Sequence, residues 1–468
     1  MKYLILFLII SSSLSAQPMP TAEMAEKAGE IAKAYQGMGW FSGAVLIAEK
    51  GKPIFQKAYG LADIKNNIPN TLQTKFRIGS INKDYTAVLI LQQVQRGNIF
   101  LEDKLSKFDL GFPKNIADKI SVRQLLSHTS GFGDIFIPEY LDNIRSYKNI
   151  GDILPLLMNE PLMFEPGTEE EYSNYNYIVL GAILEKTTGK TFGQLLNENI
   201  HANTGCKNTE YDIAENLQGT AKSYRYSITG NKKDHTPLLE YPTPDGGMYA
   251  TADDVLAFFQ TLFFSEKLLK DEYKTLMVTG FRPTDKSWQD ILAQPQAGIG
   301  LAGGGPGVSA AVEANLHENY FIIILANTDQ QVAEEMAGRM WLAKTGREYP
   351  AAILPSNNFL YNIYKKHGKT FLVNNFKKEL MNAGYEDIHP GLLNSSGYAL
   401  MQENKLAEAI DIFRANIELF PEEANPYDSL AEAYLEKGDK TNALKYYKMA
   451  LDIDPELPSA KRAVEELK

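Results

Sequence analysis

The stretch FRIGSINKDYTAVLILQQ, residues 76–93, decides how this chain is read. Ser80 stands at the start of an apolar pattern of helical period, and Lys83 follows three residues later. Residues three apart lie one turn apart on one helix face. A serine at a helix start commonly caps it, its oxygen accepting from a free backbone N–H. The same serine beside a lysine shielded from water is instead a nucleophile, because burial weakens the ammonium's hold on its proton and a hydroxyl needs such a base. The positive end of the helix dipole also favours a developing alkoxide. Ser80 is the only serine followed by lysine at the third position. Gly-x-Ser-x-Gly is absent, which removes the nucleophile elbow of the α/β-hydrolases.

Two further stretches turn a weak motif into a strong one. EPGTEEEYSNYNYIVLGAILEKTTGK (165–190) places Tyr172-Ser173-Asn174 between a Pro-Gly turn and an amphipathic helical pattern. GLAGGGPGVSAAVEANL (300–316) is a glycine-rich entry into a strand. In this order the chain resembles the serine β-lactamase and penicillin-binding-protein superfamily, and within it the class C β-lactamase-like serine hydrolases. LLSHTSGFGD (125–134) and GGMYATADDVLAFFQTL (246–262) also resemble recurrent stretches of that family. The second Tyr-x-Asn, Tyr147–Asn149, lacks this context and is set aside.

The resemblance implies a role for each matching position. Ser80 corresponds to the acylated nucleophile, Lys83 to its activating partner and Tyr172 to the general base. Asn174 corresponds to the amide that holds substrate and lysine. The backbone N–H groups of Ser80 and Gly304 correspond to the oxyanion hole, where a donor is usually worth ~10²–10³ in rate. Leu301, Gly303 and Gly305 lie on the substrate-binding strand, where glycine lets backbone approach substrate. The family usually has lysine or histidine at the position of Leu301, two before Gly303. That charge faces a substrate carboxylate, and leucine carries none. The departure argues against efficient β-lactam hydrolysis and for an ester or neutral amide. Arg225 and His235 are candidate replacement charges. The six histidines have no metal-ligand spacing and read as surface or structural residues; neither metal nor cofactor is expected.

Outside this region the composition sets bounds. Of 468 residues, 44% are hydrophobic and 22% charged, which fits packed globular domains. The formal charge of −11 argues against nucleic acid and anionic membrane surfaces. MKYLILFLIISSSLSAQ reads as a secretory signal, residues 1–16, cleaved near Ala16. The only cysteine, Cys206, supplies neither a lipobox nor a disulfide. A periplasmic or secreted protein with no membrane insertion in its mature form is expected.

At the C-terminus, residues 400–421 and 434–455 superpose at an offset of 34. Gly397 matches Ala431, Ala409 matches Ala443, Phe413 matches Tyr447 and Pro421 matches Pro455. That pattern resembles the tetratricopeptide repeat, with repeats at about 393–426 and 427–460. The expected organisation is a hydrolase domain over 17–346, a proline-marked linker over 347–357 and a helical repeat module over 358–468. The expected fold is α+β. Strand pairs at both ends of the first domain form one antiparallel sheet with helices on its faces, beside a helical domain, and the repeat module is all-α.

The function these readings support is an exported serine hydrolase, of esterase or D-amino-acid peptidase type, acting through a Ser80 acyl-enzyme. The rivals are a β-lactamase or D-Ala-D-Ala carboxypeptidase, and a degraded penicillin-binding-like binding or sensor protein. Its substrate would be a small molecule or short peptide. The repeats fit either a protein partner or a cap on the hydrolase.

Overall fold

The computed structural model describes residues 20–329 and 331–467; the signal-peptide reading lies outside them. Among the described residues, no helix is long and apolar enough to cross a membrane. The chain divides into two compact units, one of residues up to Arg225 with Asp234–Tyr349, the other of Tyr226–Lys233 with Pro350–Lys468.

Labels are given to the elements that matter below. In the first unit, β1 (Gly43–Glu49) and β2 (Lys52–Tyr59) follow helix α1 (Thr21–Gly37). Near the unit's end come β3 (Gly298–Gly305), β4 (Val308–Asn315) and β5 (Tyr320–Ala326). They form one antiparallel sheet in the order β2-β1-β5-β4-β3. The expected joining of the two ends is therefore real: Gly43 pairs with Ala326 and Glu49 with Tyr320. The five β-branched and aliphatic residues Ile322, Ile323, Ile324, Leu325 and Val45 favour strands because their side chains pack well on a pleated surface.

Alternation splits the sheet's two faces. Ala44, Leu46 and Ala48 of β1, with Phe321, Ile323 and Leu325 of β5, join the large core under the helical part. Val45, Ile47, Ile322 and Ile324 point to the other face and are equally buried. That second face is covered by α1 and by α5 (Val332–Lys344). Three helices dominate the large core: α2 (Asn82–Gln95), α3 (Asn174–Thr188) and α4 (Ala252–Phe264). Tyr85 of α2 stacks on Phe258 of α4 with centroids 3.7 Å apart.

The second unit is helical, with α6 (Ser356–Asn382), α7 (Pro390–Gln402), α8 (Leu406–Leu419), α9 (Ala424–Glu436), α10 (Lys440–Ile453) and α11 (Pro458–Glu466). Its α6 bends at Gly368, where φ is 80°. The repeat pattern has a steric cause: a Cβ on Gly397 would sit 2.3 Å from a ring carbon of Phe413, so a small residue lets the aromatic close the helix pair. Residues 226–233, which the sequence places with the hydrolase segment, group here. Ile228 is buried in this unit's core, and the Asn358 amide donates to the carbonyls of Ser227 and Ile228.

Candidate active site

Ser80 lies in a single 3-10 turn, Gly79–Ile81, leading into α2. It does not cap that helix. The cap positions are Ile78 and Ile81, and no side chain bonds to the exposed N–H groups there. The turn is pinned from below by a two-residue sheet, Phe76–Arg77 against Tyr249–Ala250, and by the Ile78 N–H donating to Met248 O. Arg77 is buried and paired with Glu240 at 2.5 Å.

The Ser80 hydroxyl is hydrogen-bonded to Tyr172 Oη at 2.7 Å and accepts from Lys83 Nζ at 3.1 Å. Lys83 Nζ also donates to Asn174 Oδ1 and to the carbonyl of Asp245, each at 2.7 Å. Two of its three directions thus end on acceptor-only atoms, and the third ends on the serine oxygen. Lys83 and Asn174 are buried, while Ser80 and Tyr172 are half-buried. The serine is partly exposed and the amine beside it is enclosed.

Each partner is delivered by a specific local feature. Tyr172 and Asn174 flank the entry to α3, whose first residue is Asn174. The carbonyl of Asp245 reaches Lys83 because the segment 243–245 lies along α2. There the Asn82 amide donates to the carbonyls of Thr243 and Pro244, and the Thr86 hydroxyl to that of Pro244. The set-aside motif proves structural, since Asn149 caps the short helix Ile150–Ile153 through a capping box.

The electrostatics around Lys83 are lopsided. Burial pushes the Asp84 carboxyl up to about 7 and also raises Asp245, with Lys83 opposing the shift in both. No second cation joins Lys83 from His128. Burial, and then Lys83 itself, hold that imidazole down to about 3. His128 stacks on Tyr172 with centroids 4.6 Å apart, and Lys83 Nζ lies 4.9 Å from the Tyr172 ring centre. His128 Nδ1 accepts from the Ser173 N–H at 3.2 Å and faces the Asn176 amide nitrogen at 3.3 Å, so its proton is on Nε2.

Strand β3 forms the opposite wall. A Cβ on Gly303 would lie 2.1 Å from the Ile78 carbonyl and 2.8 Å from the Ser80 nitrogen. A Cβ on Gly79 would lie 2.7 Å from the Gly304 nitrogen. The two N–H groups assigned to the oxyanion hole therefore belong to backbones in direct contact, which only glycine permits. Gly305 is different: a Cβ there meets nothing within 4 Å. Leu301 pairs with Val312 and packs on the large core. Of the candidate replacement charges, His235 is itself held below its ordinary value by burial and by Arg225, and Arg225 is exposed on a short strand, Tyr224–Tyr226.

The sequence brings out Ser80, Lys83, Tyr172 and Asn174, and the structure gathers all four. It missed His128 and Asp134, whose carboxylate accepts from the Asn174 amide at 3.0 and 3.1 Å. Both fall in LLSHTSGFGD, and the available signal was its position among the family-like stretches. Among the described residues no group of three or more His, Cys, Asp or Glu is placed to hold a metal ion.

Comparison with known proteins follows the same line. The Beta-lactamase family model matches residues 30–345, and a Tetratricopeptide repeat model matches residues 424–457. Penicillin-binding protein 4* of Bacillus subtilis is 26% identical over 321 residues, covering 64% of this chain and 70% of that protein. Protein flp of Staphylococcus aureus is 26% identical over 322 residues, covering 63% of this chain, and the match spans only 61% of flp. Among solved structures, EstCE1, described as a hydrolase with promiscuous acyltransferase activity, shares the fold with a TM-score of 0.58 at 23% identity. That match covers 69% of this chain and 98% of EstCE1. The chain belongs to the beta-lactamase family of penicillin-binding-protein-like serine hydrolases, and its C-terminal region carries a tetratricopeptide repeat.

Proposed function

We propose that this protein is an exported serine hydrolase that forms an acyl-enzyme on Ser80 with an uncharged ester or amide. The observation that carries the reading is the half-buried Ser80 hydroxyl held between Tyr172 Oη at 2.7 Å and Lys83 Nζ at 3.1 Å. In the first step Ser80 Oγ bonds to the substrate carbonyl carbon and its proton passes to Tyr172 Oη, the general base, while Lys83 holds the serine oxygen as a donor. The carbonyl oxygen becomes an oxyanion facing the N–H groups of Ser80 and Gly304. The C–O or C–N bond then breaks and the stored proton leaves with the alcohol or amine. Water repeats the sequence on the acyl-enzyme and releases the acid.

Leu301 directs the substrate class, since a leucine offers nothing to a carboxylate. An esterase or a peptidase for neutral D-amino-acid derivatives fits better than a β-lactamase or carboxypeptidase. The same leucine is the one observation favouring a binding or sensor protein that has left catalysis behind. The signal-like composition of residues 1–16 supports a periplasmic or secreted location, and the repeats would offer a surface for a protein partner.

The test is the intact mass of the protein after exposure to an alkyl fluorophosphonate, beside Ser80→Ala. One adduct on the wild type and none on the variant is the expected result. No adduct on either overturns the reading and leaves the sensor alternative.

A further inference from the structure

We propose that Asp134 is a positioning residue that holds the Asn174 carboxamide with its oxygen toward Lys83. This deepens the hydrolase reading, on which the role of Lys83 rests.

A carboxamide has two ends of nearly equal size, one accepting and one donating. Asn174 lies between Lys83 Nζ, 2.7 Å from its oxygen, and the Asp134 carboxylate, 3.0 and 3.1 Å from its nitrogen. An ammonium only donates and a carboxylate only accepts. Both neighbours therefore demand the same orientation. Without the carboxylate, one side of the amide loses its instruction. A turned amide would set its NH₂ against the lysine and remove one of the two acceptors that aim Nζ at Ser80.

The carboxylate is itself fixed. The backbone N–H of Ile135 donates to Asp134 Oδ1 at 2.6 Å. The loop that carries Asp134 is tied to the same helix start as Asn174. The Ser173 hydroxyl donates to Gly133 O at 2.8 Å, and Ser130 Oγ donates to Asn176 Oδ1 at 2.6 Å. The backbone N–H of Phe132 donates to Ser130 Oγ at 3.1 Å. Asp134 and Asn174 thus move as one block, and that block sets the direction of the lysine.

A brace for the loop and a guide for the amide both predict slower chemistry in Asp134→Ala, so the test is a double-mutant cycle with Asn174→Ala. The rate of Ser80 labelling by the fluorophosphonate is measured in the full-length protein. Asp134→Ala is expected to slow labelling about tenfold in the wild-type background and less than about twofold in the Asn174→Ala background. Asp134→Asn, which keeps one acceptor oxygen but no longer enforces its direction, should fall between. Equal slowing in both backgrounds overturns the proposal, because Asp134 then acts without Asn174.

A second readout stands apart from reactivity. The Asn174 side-chain NH₂ pair, assigned by its loss in Asn174→Asp, should give exchange-protected ¹H–¹⁵N resonances in the wild type that disappear in Asp134→Asn and Asp134→Ala. Unchanged resonances in both variants overturn the proposal. If the wild type is not labelled at all, the hydrolase reading falls and these resonances alone decide the role of Asp134.

Discussion

The two walls of the site are built on opposite principles. The helical wall is polar and fully committed: Lys83 spends its hydrogens on Ser80, Asn174 and Asp245, and Asn174 is fixed in turn by Asp134. The strand wall is almost bare, with glycines at 298, 300, 303, 304 and 305 and the apolar Leu301 among them. On the proposed reading the helical wall activates the nucleophile and the strand wall meets the substrate. An uncharged residue at 301 leaves the first untouched, because Leu301 packs on the core beside Val312 and has no part in the hydrogen-bonded set. On that reading activation and recognition are separable, and the following changes probe one wall at a time.

Tyr172→Phe attacks the helical wall and has the largest expected effect. It removes the hydroxyl that touches Ser80 Oγ and leaves the ring that stacks on His128. The labelling rate should fall by ~10²–10⁴ with little change in melting temperature. A loss below about fivefold would show that Tyr172 is not the base.

Gly303→Ala attacks the strand wall, with Gly305→Ala as its control. The added methyl would collide with the Ile78 carbonyl at 2.1 Å, and backbone has to move to admit it. Misplacing the strand against Ser80 should cost about 10² in labelling rate and lower stability by ~1–3 kcal/mol. At Gly305 nothing lies within 4 Å, so stability should stay within ~0.5 kcal/mol. Equal behaviour of the two variants would mean that the strand is not pressed on the serine turn.

Leu301→Lys changes recognition alone. The ratio of kcat/KM for an anionic ester over its neutral methyl ester should rise about tenfold, as for one added partially exposed ion pair. Activity on the neutral ester should hold within a few-fold. If both substrates slow together, the leucine is packing that the catalytic geometry needs, and the separation of the walls fails.

How much of this was legible follows from what each feature depends on. Ser80 with Lys83, and Tyr172 with Asn174, are local spacings on two helix starts, so the sequence displays them. The sheet was legible because strand-like runs joined by short turns, GAVLIAEKGKPIFQKAYG at one end and VSAAVEANL with YFIIILAN at the other, bracket the unit. Asp134 and His128 were not, since their meaning lies in what they touch 40 or more residues away. His128 has a further disguise: it takes a left-handed backbone, φ 57°, rare for a residue with a Cβ and with no sequence signature of its own. The grouping of residues 226–233 with the helical unit depends on Ile228 and on two backbone carbonyls that accept from the Asn358 amide, which no pattern announces.

His128 also supplies the smallest effect, one on stability rather than rate. Its imidazole is held down to about 3 in the folded protein, against about 6.5 in an unfolded chain. Between those values the unfolded state binds the extra proton, so His128 makes stability rise with pH across roughly 3 to 6.5 and lets it fall as pH drops through that window. Asp84 and Glu313, raised by burial to about 7, act in the opposite sense, gaining protons in the folded state first. The contribution of the histidine is therefore read by difference. Denaturant unfolding of wild type and His128→Asn at pH 7 and pH 4.5 should show the wild type losing ~1–2 kcal/mol more than the variant on acidification. Above pH 7 the imidazole stays neutral in both states, and the difference between the two proteins should no longer change with pH. An equal acid loss in both would show that His128 is protonated beside Lys83 without penalty, and the strict exclusion of a second cation from the helical wall would no longer hold.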